Sequence, residues 1–166
     1  IKAFAIIANK YSSLKLVLAG NSDEMCKHKT LVKKLDIESK VIFLGRIDRD
    51  MVPSFLANAK ILALASPTSE RSCATMPCKV GEYLSTGVPS VITGLGEIHK
   101  YIKDNESAFL AEPDSEFKFA EKIDFVLSDY TNALRVAQKG KEIAKHSFSG
   151  KTQAKIVDSF LKSNFI

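Results

Sequence analysis

The sequence lacks the features that mark membrane, secreted and repetitive proteins. No apolar run reaches the roughly 20 residues that a membrane-spanning helix requires, and no N-terminal signal-peptide pattern is present. Internal repeats and low-complexity tracts are also absent. With 45% hydrophobic and 26% charged residues, the chain is predicted to form a single globular domain over residues 1–166.

Cysteine and histidine are scarce, with three residues of each, and no two cysteines have the C-x-x-C spacing of a zinc site. A metal site would have to gather Cys26, His28, Cys73 and Cys78 from distant segments, so no metal site is predicted. The cysteines are interpreted as reduced thiols of a cytoplasmic protein.

Common catalytic and ion-binding signatures are missing as well. The sequence has no Ser-His-Asp set, no pair of carboxylates in one segment, no Walker loop and no EF-hand. Its net charge is +5, but the lysines are spread along the chain rather than clustered. This distribution favours solvated helix faces, and no nucleic-acid partner is predicted. An anionic membrane surface stays open as an alternative partner.

What the sequence does contain is a series of short apolar runs. Because these runs are continuous rather than alternating, they predict strands covered on both faces, as in a parallel sheet. Several end in small residues, which leave room for a ligand at the carboxyl edge. The runs cover residues 14–19, 41–44, 61–65 and 88–92, with a weaker fifth at 108–111.

Segments with helical spacing separate the runs and replace them after Pro113. The predicted fold class is therefore α/β, a doubly wound (Rossmann-like) parallel sheet with flanking helices, followed by C-terminal helices over residues 115–165. The predicted helices cover residues 1–11, 24–35, 50–59, 78–86, 115–127, 131–146 and 150–162.

The most informative stretch runs from Met76 to Glu112 and reads MPCKVGEYLSTGVPSVITGLGEIHKYIKDNESAFLAE. It resembles the donor-binding half of the retaining GT-B glycosyltransferases of the group 1 family. Their corresponding pattern is roughly P-[ST]-K-[LV]-x-E-Y-L-A-x-G-x-P-V-V-x-T, followed by a glycine turn, G-E-I and an acidic-proline end. The resemblance is strongest between Pro77 and Pro113, and it implies the C-terminal half of a GT-B fold.

The resemblance implies a site for the nucleotide of a sugar donor. Glu82 matches the family's carboxylate that accepts hydrogen bonds from the ribose hydroxyls, and a carboxylate can accept two such donors at once. Arg46 would stack on the base or reach phosphate, or it is an ordinary surface arginine. The base pocket is expected along Gly45, Arg46, Ile47, Ser66 and Pro67.

A phosphate and sugar site is implied at the start of the helix that carries Glu82. Free N–H groups and the positive end of the helix dipole suit a diphosphate there. The residues expected to contribute are Ala74, Thr75, Met76 and Lys79, although Lys79 is equally suited to solvent. The long polar loop 67–76 is predicted to contact the sugar.

This sequence departs from the family pattern at two places. Many members carry two glutamates separated by seven residues, but counting back from Glu82 gives Ala74, which leaves the donor sugar open. The family domain also opens with a strand and a G-R-x-x-x-x-K-G signature, whereas residues 1–11 predict a helix. The chain is therefore expected to be part of a longer protein whose first strand and acceptor-binding domain lie elsewhere.

The predicted function is metal-independent transfer of a hexosyl group from a UDP- or GDP-linked sugar to a glycan or lipid-linked acceptor. The nucleotide sugar is a substrate, and no cofactor is predicted. The location is expected to be the cytoplasm or the inner face of the membrane. Two alternatives stay open: a sugar-nucleotide epimerase, which would need Glu97 or His99 as acid or base, and a non-catalytic binding module.

Overall fold

A computed structural model describes residues 1–165, apart from the side chain of Phe165. Residue 166, the last residue of the predicted domain, lies outside the described residues. The strands are β1 (Leu16–Ala19), β2 (Val41–Gly45), β3 (Leu62–Leu64), β4 (Ser90–Thr93) and β5 (Phe109–Ala111). The helices are α1 (Lys2–Ala8), α2 (Met25–Lys34), α3 (Val52–Ala57), α4 (Glu70–Ala74), α5 (Cys78–Thr86), α6 (Ile98–Tyr101), α7 (Glu116–Ser128), α8 (Tyr130–Ser147) and α9 (Gly150–Phe165). Single 3₁₀ turns precede β2 and α3, at Glu38–Lys40 and Arg49–Met51.

Every strand pairing in the described chain is parallel. β1 pairs with β2, and β4 lies between β3 and β5 in a separate sheet. Parallel neighbours need crossover connections, and helices supply them here. This arrangement confirms the predicted Rossmann-like α/β class, with its strands divided between two sheets.

One hydrophobic core joins the two sheets. It contains Phe4 and Ile7 of α1, Val41 of β2, Val91 of β4 and Phe109 of β5, all at most 9% exposed. Residues of α2, α7 and α8 also belong to the cluster. Burying a side chain of this size contributes roughly 1.5–3 kcal/mol, so this core fixes how the sheets sit relative to each other.

A second cluster supports the helix that carries Glu82. On α5, Val80 and Leu84 are four residues apart and only 0% and 2% exposed. They face β4 and α8, so the opposite face of α5 is left to solvent. Gly87 ends α5 in the left-handed conformation, at φ 74°, as its predicted position at the helix end requires.

Four predicted details of the elements are wrong. The helix predicted over residues 1–11 ends at Ala8. Strands β1, β3, β4 and β5 begin later than the apolar runs; before β4, Pro89 has no N–H to donate to a neighbouring strand. The helix predicted from residue 50 begins only at Val52, after the 3₁₀ turn. The segment 67–76, predicted as a loop, contains α4, which a capping box between Ser69 and Ser72 starts.

Candidate functional site

The turns that follow β1 and β2 meet at the carboxyl edge of their sheet. The Gly20 amide donates a hydrogen bond of 2.7 Å to the Gly45 carbonyl. Gly45 adopts φ 69°, a left-handed conformation that glycine accepts without strain. The chain thereby turns sharply and presents Arg46 and Ile47 just beyond the strand.

A surface cavity of about 480 Å³ lies beside this turn. Arg46 is exposed and Ile47 is half-buried, and both contribute to the wall. The volume falls within the range of small-molecule sites, roughly 300–1,000 Å³. Two of the residues predicted for a base pocket therefore line a cavity. The full lining is Arg46, Ile47, Asp48, Met51, Ser54, Phe55 and Asn58.

The end of β3 is tied to the end of β4 by a buried hydroxyl. Thr93 is 3% exposed, and its Oγ1 accepts a hydrogen bond of 3.0 Å from the Ser66 amide. The same hydroxyl donates to the Leu64 carbonyl at 3.3 Å. Ser66 is half-buried and Pro67 is exposed, so the chain leaves the sheet at this point.

Helix α4 follows, and its own serines close its first turn. The Ser69 Oγ accepts a hydrogen bond from the Ser72 amide at 3.0 Å, and the Ser72 Oγ accepts one from the Ser69 amide at 2.8 Å. The predicted phosphate and sugar residues come directly after. Ala74 ends α4, Thr75 is exposed, and Met76 is half-buried against the second cluster.

Helix α5 begins without a side-chain cap at Pro77, and the Val80 amide bonds to the Pro77 carbonyl at 3.0 Å. Within the described residues the Cys78 and Lys79 amides are left to take an acceptor. Glu82 and Lys79 lie on the exposed face of this helix. Within residues 1–165, neither the Glu82 carboxylate nor the Lys79 ammonium has a hydrogen-bond or ion-pair partner. Burial, followed by the neighbouring charge of Glu82, raises the pKa of Tyr83.

Packing brings the predicted parts of the site onto neighbouring elements. Helix α5 packs against α3, which lines the cavity after the Gly45 turn. It also packs against β3, whose carboxyl end leads into Ser66. The nucleotide residues predicted on three separate segments thus belong to adjoining elements.

Glu97 and His99, the candidate acid–base residues of the epimerase alternative, lie in and just after the turn that follows β4. Glu97 Oε2 lies 2.6 Å from Lys100 Nζ in an exposed ion pair. The His99 ring lies over Gly94, where an added Cβ would be 3.0 Å from the ring Cε1. Among residues 1–165, no three His, Cys, Asp or Glu side chains are placed to hold a metal ion.

Two polar residues at this edge were missed by sequence reasoning, namely Thr93 and Asp114. Asp114 adopts φ 57° after β5, and its Oδ1 accepts a hydrogen bond of 3.0 Å from the Thr68 amide. The available signal was a short polar residue at the end of a buried strand, for Thr93, or shortly beyond one, for Asp114. The partner of each lies more than 25 residues away in sequence, at separations of 27 and 46, which local patterns cannot reveal.

The parallel sheets, their flanking helices and the loops at the carboxyl edges place the molecule among Rossmann-like ligand-binding domains. More specifically, the chain belongs to the glycosyl transferases group 1 family, whose model matches residues 1–143.

Similar proteins carry names from the same class of enzyme. N-acetyl-alpha-D-glucosaminyl L-malate synthase of Bacillus anthracis is 28% identical over 148 residues, which are 89% of this chain and 37% of that protein. Alpha-monoglucosyldiacylglycerol synthase of Streptococcus pneumoniae is 24% identical over 163 residues, 98% of this chain and 36% of that protein. The chain therefore spans little more than a third of these relatives.

Solved structures establish the fold. HepE of Anabaena, in complex with UDP and glucose, superposes with a TM-score of 0.83 at 22% identity, covering 98% of this chain and 44% of HepE. The C-terminal domain of LpcC, a group 1 glycosyl transferase of Francisella tularensis, superposes with a TM-score of 0.76 at 24% identity. The match covers 90% of this chain and 77% of the LpcC domain. These likenesses confirm the predicted C-terminal half of a GT-B fold. No helix within residues 1–165 is long and apolar enough to cross a bilayer.

Proposed function

We propose that this chain is the donor-binding domain of a retaining, metal-independent glycosyltransferase. The full protein would move a hexosyl group from a UDP- or GDP-linked sugar to a glycan or lipid-linked acceptor. The observation that carries the proposal is Glu82, an exposed carboxylate without a hydrogen-bond or ion-pair partner on α5, which adjoins the helix lining the Arg46 cavity. Family membership supports the reaction class, and the UDP held by HepE supports a uridine donor.

Each part of the donor has a matching group in this proposal. Backbone groups of Gly45, Arg46 and Ile47, together with Ser66 and Pro67, surround the base. The ribose hydroxyls donate to Glu82, for which a carboxylate is suited because it accepts two hydrogen bonds without needing to donate one. These contacts hold the nucleotide and leave the diphosphate directed toward α5.

The free amides at the start of α5 are proposed to receive the diphosphate, with the backbone of Ala74, Thr75 and Met76 beside it. Negative charge grows on the diphosphate as the glycosidic bond breaks, and these amides, the helix dipole and Lys79 would stabilise it. Catalysis would then rest on positioning the sugar and on charge stabilisation.

The remaining parts of the site are proposed to lie in the full protein. Both sheets of the described chain end in strands that pair on one side only, and a further strand of the full protein is proposed to pair with such edges. That strand would carry the Arg and Lys of the family signature. The exposed apolar face of α9, including Ile156, Val157 and Leu161, would pack against the acceptor-binding domain. The protein would act in the cytoplasm or peripherally at the inner face of the membrane.

Calorimetric titration of this chain with UDP, GDP and ADP tests the proposal. We expect weak binding of one diphosphate and no transfer of sugar by these residues alone. Replacing Glu82 by Ala should weaken that binding by about 1–3 kcal/mol, the range for leaving a hydrogen-bonding group without its partner. By the usual conversion, this is roughly a 5- to 150-fold loss of affinity.

Glu142 on α8 offers a matched control. It is also an exposed helical glutamate without an ion pair in the described chain, so Glu142→Ala makes the same change of charge. Glu142→Ala should leave nucleotide affinity unchanged. Equal losses in both variants would contradict the role of Glu82, and a folded chain that binds no diphosphate would contradict donor binding itself.

A further inference from the structure

The segment from Ser66 to Met76, here named the donor loop, is held by residues of other elements at three points. This is unusual for a surface connection, because connecting segments are commonly the more mobile parts of a domain. The holding residues are Thr93 at the end of β4, Gly96 in the turn that follows it, and Asp114 beyond β5. Two of these contacts are hydrogen bonds to amides of the loop.

The contacts of Thr93 and Gly96 involve buried or close-packed atoms. Thr93 fixes the Ser66 amide from within the sheet. Gly96 adopts φ 52° and lies so close to α4 that a Cβ built on it would be 2.1 Å from the Cys73 carbonyl oxygen. Only a residue without a side chain permits this approach.

The contact of Asp114 is different, because it is made by a charged side chain at the surface. A non-glycine residue at φ 57° is strained, although aspartate tolerates this conformation better than most residues. The conformation directs Oδ1 to the Thr68 amide, which lies between the Ser66 contact and α4. Thr68, through its side chain and its amide, lowers the pKa of the Asp114 carboxyl, so the carboxylate is charged at neutral pH.

We propose that Asp114 is a positioning residue for the donor sugar. Through the Thr68 amide it sets where the donor loop lies, and the loop in turn presents its end and the start of α5 to the hexose and its phosphate. This proposal rests on the function proposed above. Asp114 touches neither base nor ribose in this scheme, so its effect should appear for the sugar conjugate and not for the bare nucleotide.

The test compares a nucleoside diphosphate with its sugar conjugate, UDP with UDP-glucose and GDP with GDP-mannose. In Asp114→Ala, the affinity for the conjugate should fall about tenfold while that for the diphosphate changes less than about twofold. Asp114→Asn keeps an oxygen acceptor and tolerates the backbone conformation, so it should restore most of the conjugate affinity. Hydrogen exchange at the Thr68 amide should accelerate in the alanine variant and not in the asparagine variant.

Asp36 supplies the matched control. It is an exposed aspartate with φ 54° whose side chain has no hydrogen-bond partner within residues 1–165, so Asp36→Ala makes the same change of charge and backbone preference. It should leave both affinities unchanged. If the wild-type chain binds a diphosphate and its conjugate, and Asp114→Ala keeps the ratio of their affinities, the positioning role is wrong and donor binding stands. If the wild-type chain binds neither, donor binding itself fails.

Discussion

Gly87 and Gly96 both adopt a left-handed backbone conformation, but their surroundings are very different. Comparing them distinguishes the cost of backbone strain from the cost of a steric clash. Both have positive φ, at 74° and 52°. A Cβ on Gly87 would meet the ends of the flexible Gln138 and Lys141 side chains at 3.1 and 3.3 Å. A Cβ on Gly96 would meet the Cys73 carbonyl, which belongs to the backbone and cannot move without the donor loop.

Gly96→Ala should therefore destabilise the protein more than Gly87→Ala. Each variant forces alanine into the left-handed region, at a cost of roughly 1–2 kcal/mol. Only Gly96→Ala should lose about 1–3 kcal/mol of further unfolding free energy through overpacking. Only this variant should also show faster hydrogen exchange in the donor loop. Urea unfolding and amide exchange measure the two effects. A larger loss of unfolding free energy in Gly87→Ala would contradict the tight approach of Gly96 to Cys73.

At the same scale, the sequence could single out Glu82 as a candidate, which stays a prediction, but it could not single out Asp114. Glu82 sits inside a dense local pattern, between Pro77 and Gly87, in which spacing along one helix carries the information. Asp114 is recognised only by its hydrogen bond to Thr68, 46 residues away. The parallel pairing of β3, β4 and β5 brings the two residues together, and no local sequence pattern reveals that pairing.

Among the elements, the packing of α8 against α5 depends on a glycine inside a helix. A Cβ on Gly140 of α8 would lie 2.2 Å from the Ser107 carbonyl and 2.9 Å from Leu84 Cδ2. At Gly150, which begins α9, no atom lies within 4 Å of the added Cβ. The two positions thus have opposite steric demands, and neither has the positive φ that favours glycine.

Alanine at these positions should change stability in opposite directions. Helix propensity alone favours alanine over glycine by about 1 kcal/mol in a helix interior. Gly140→Ala should nevertheless lose about 1–3 kcal/mol, because the helix must move away from Leu84 and Ser107. Gly150→Ala should be neutral or stabilise by less than about 1 kcal/mol. Denaturant unfolding measures the free energy of unfolding of each variant. Stabilisation by Gly140→Ala would show that α5 and α8 are not closely packed at this position.

The strands and the long helices could be predicted because their signals are long or continuous. All four residues of β4 are buried, as a continuous apolar run predicts. The same prediction is wrong for β1 and β2, which leave alternate residues such as Val17 and Ile42 exposed. Helix α4 could not, because its five residues offer no periodicity and its cap uses Ser72 where the usual capping box has Glu or Gln. The start of every strand except β2 was also predicted too early, since hydrogen bonding to a neighbour, and not apolar character, decides where a strand begins.

For the whole molecule, the separation of the strands into two sheets raises the question of whether they unfold together. Between the sheets the described chain has a common core rather than strand pairing. Ile7 of α1 belongs to that core and is 4% exposed, and α1 also packs against α7. Cooperative unfolding would therefore depend on side chains such as Ile7, and a defect there should weaken both sheets.

We expect Ile7→Ala to lower the unfolding free energy by about 2–5 kcal/mol, the range for truncating a buried aliphatic side chain. Native-state hydrogen exchange should show equal losses of protection in the β1–β2 ladder and in the β3–β5 ladder, because one cooperative unit contains both. Ile6→Ala, on the same helix but 45% exposed, should lose far less in either ladder. Loss of protection confined to β1 and β2 would mean that the two sheets are separate cooperative units, and that the shared core does not couple them.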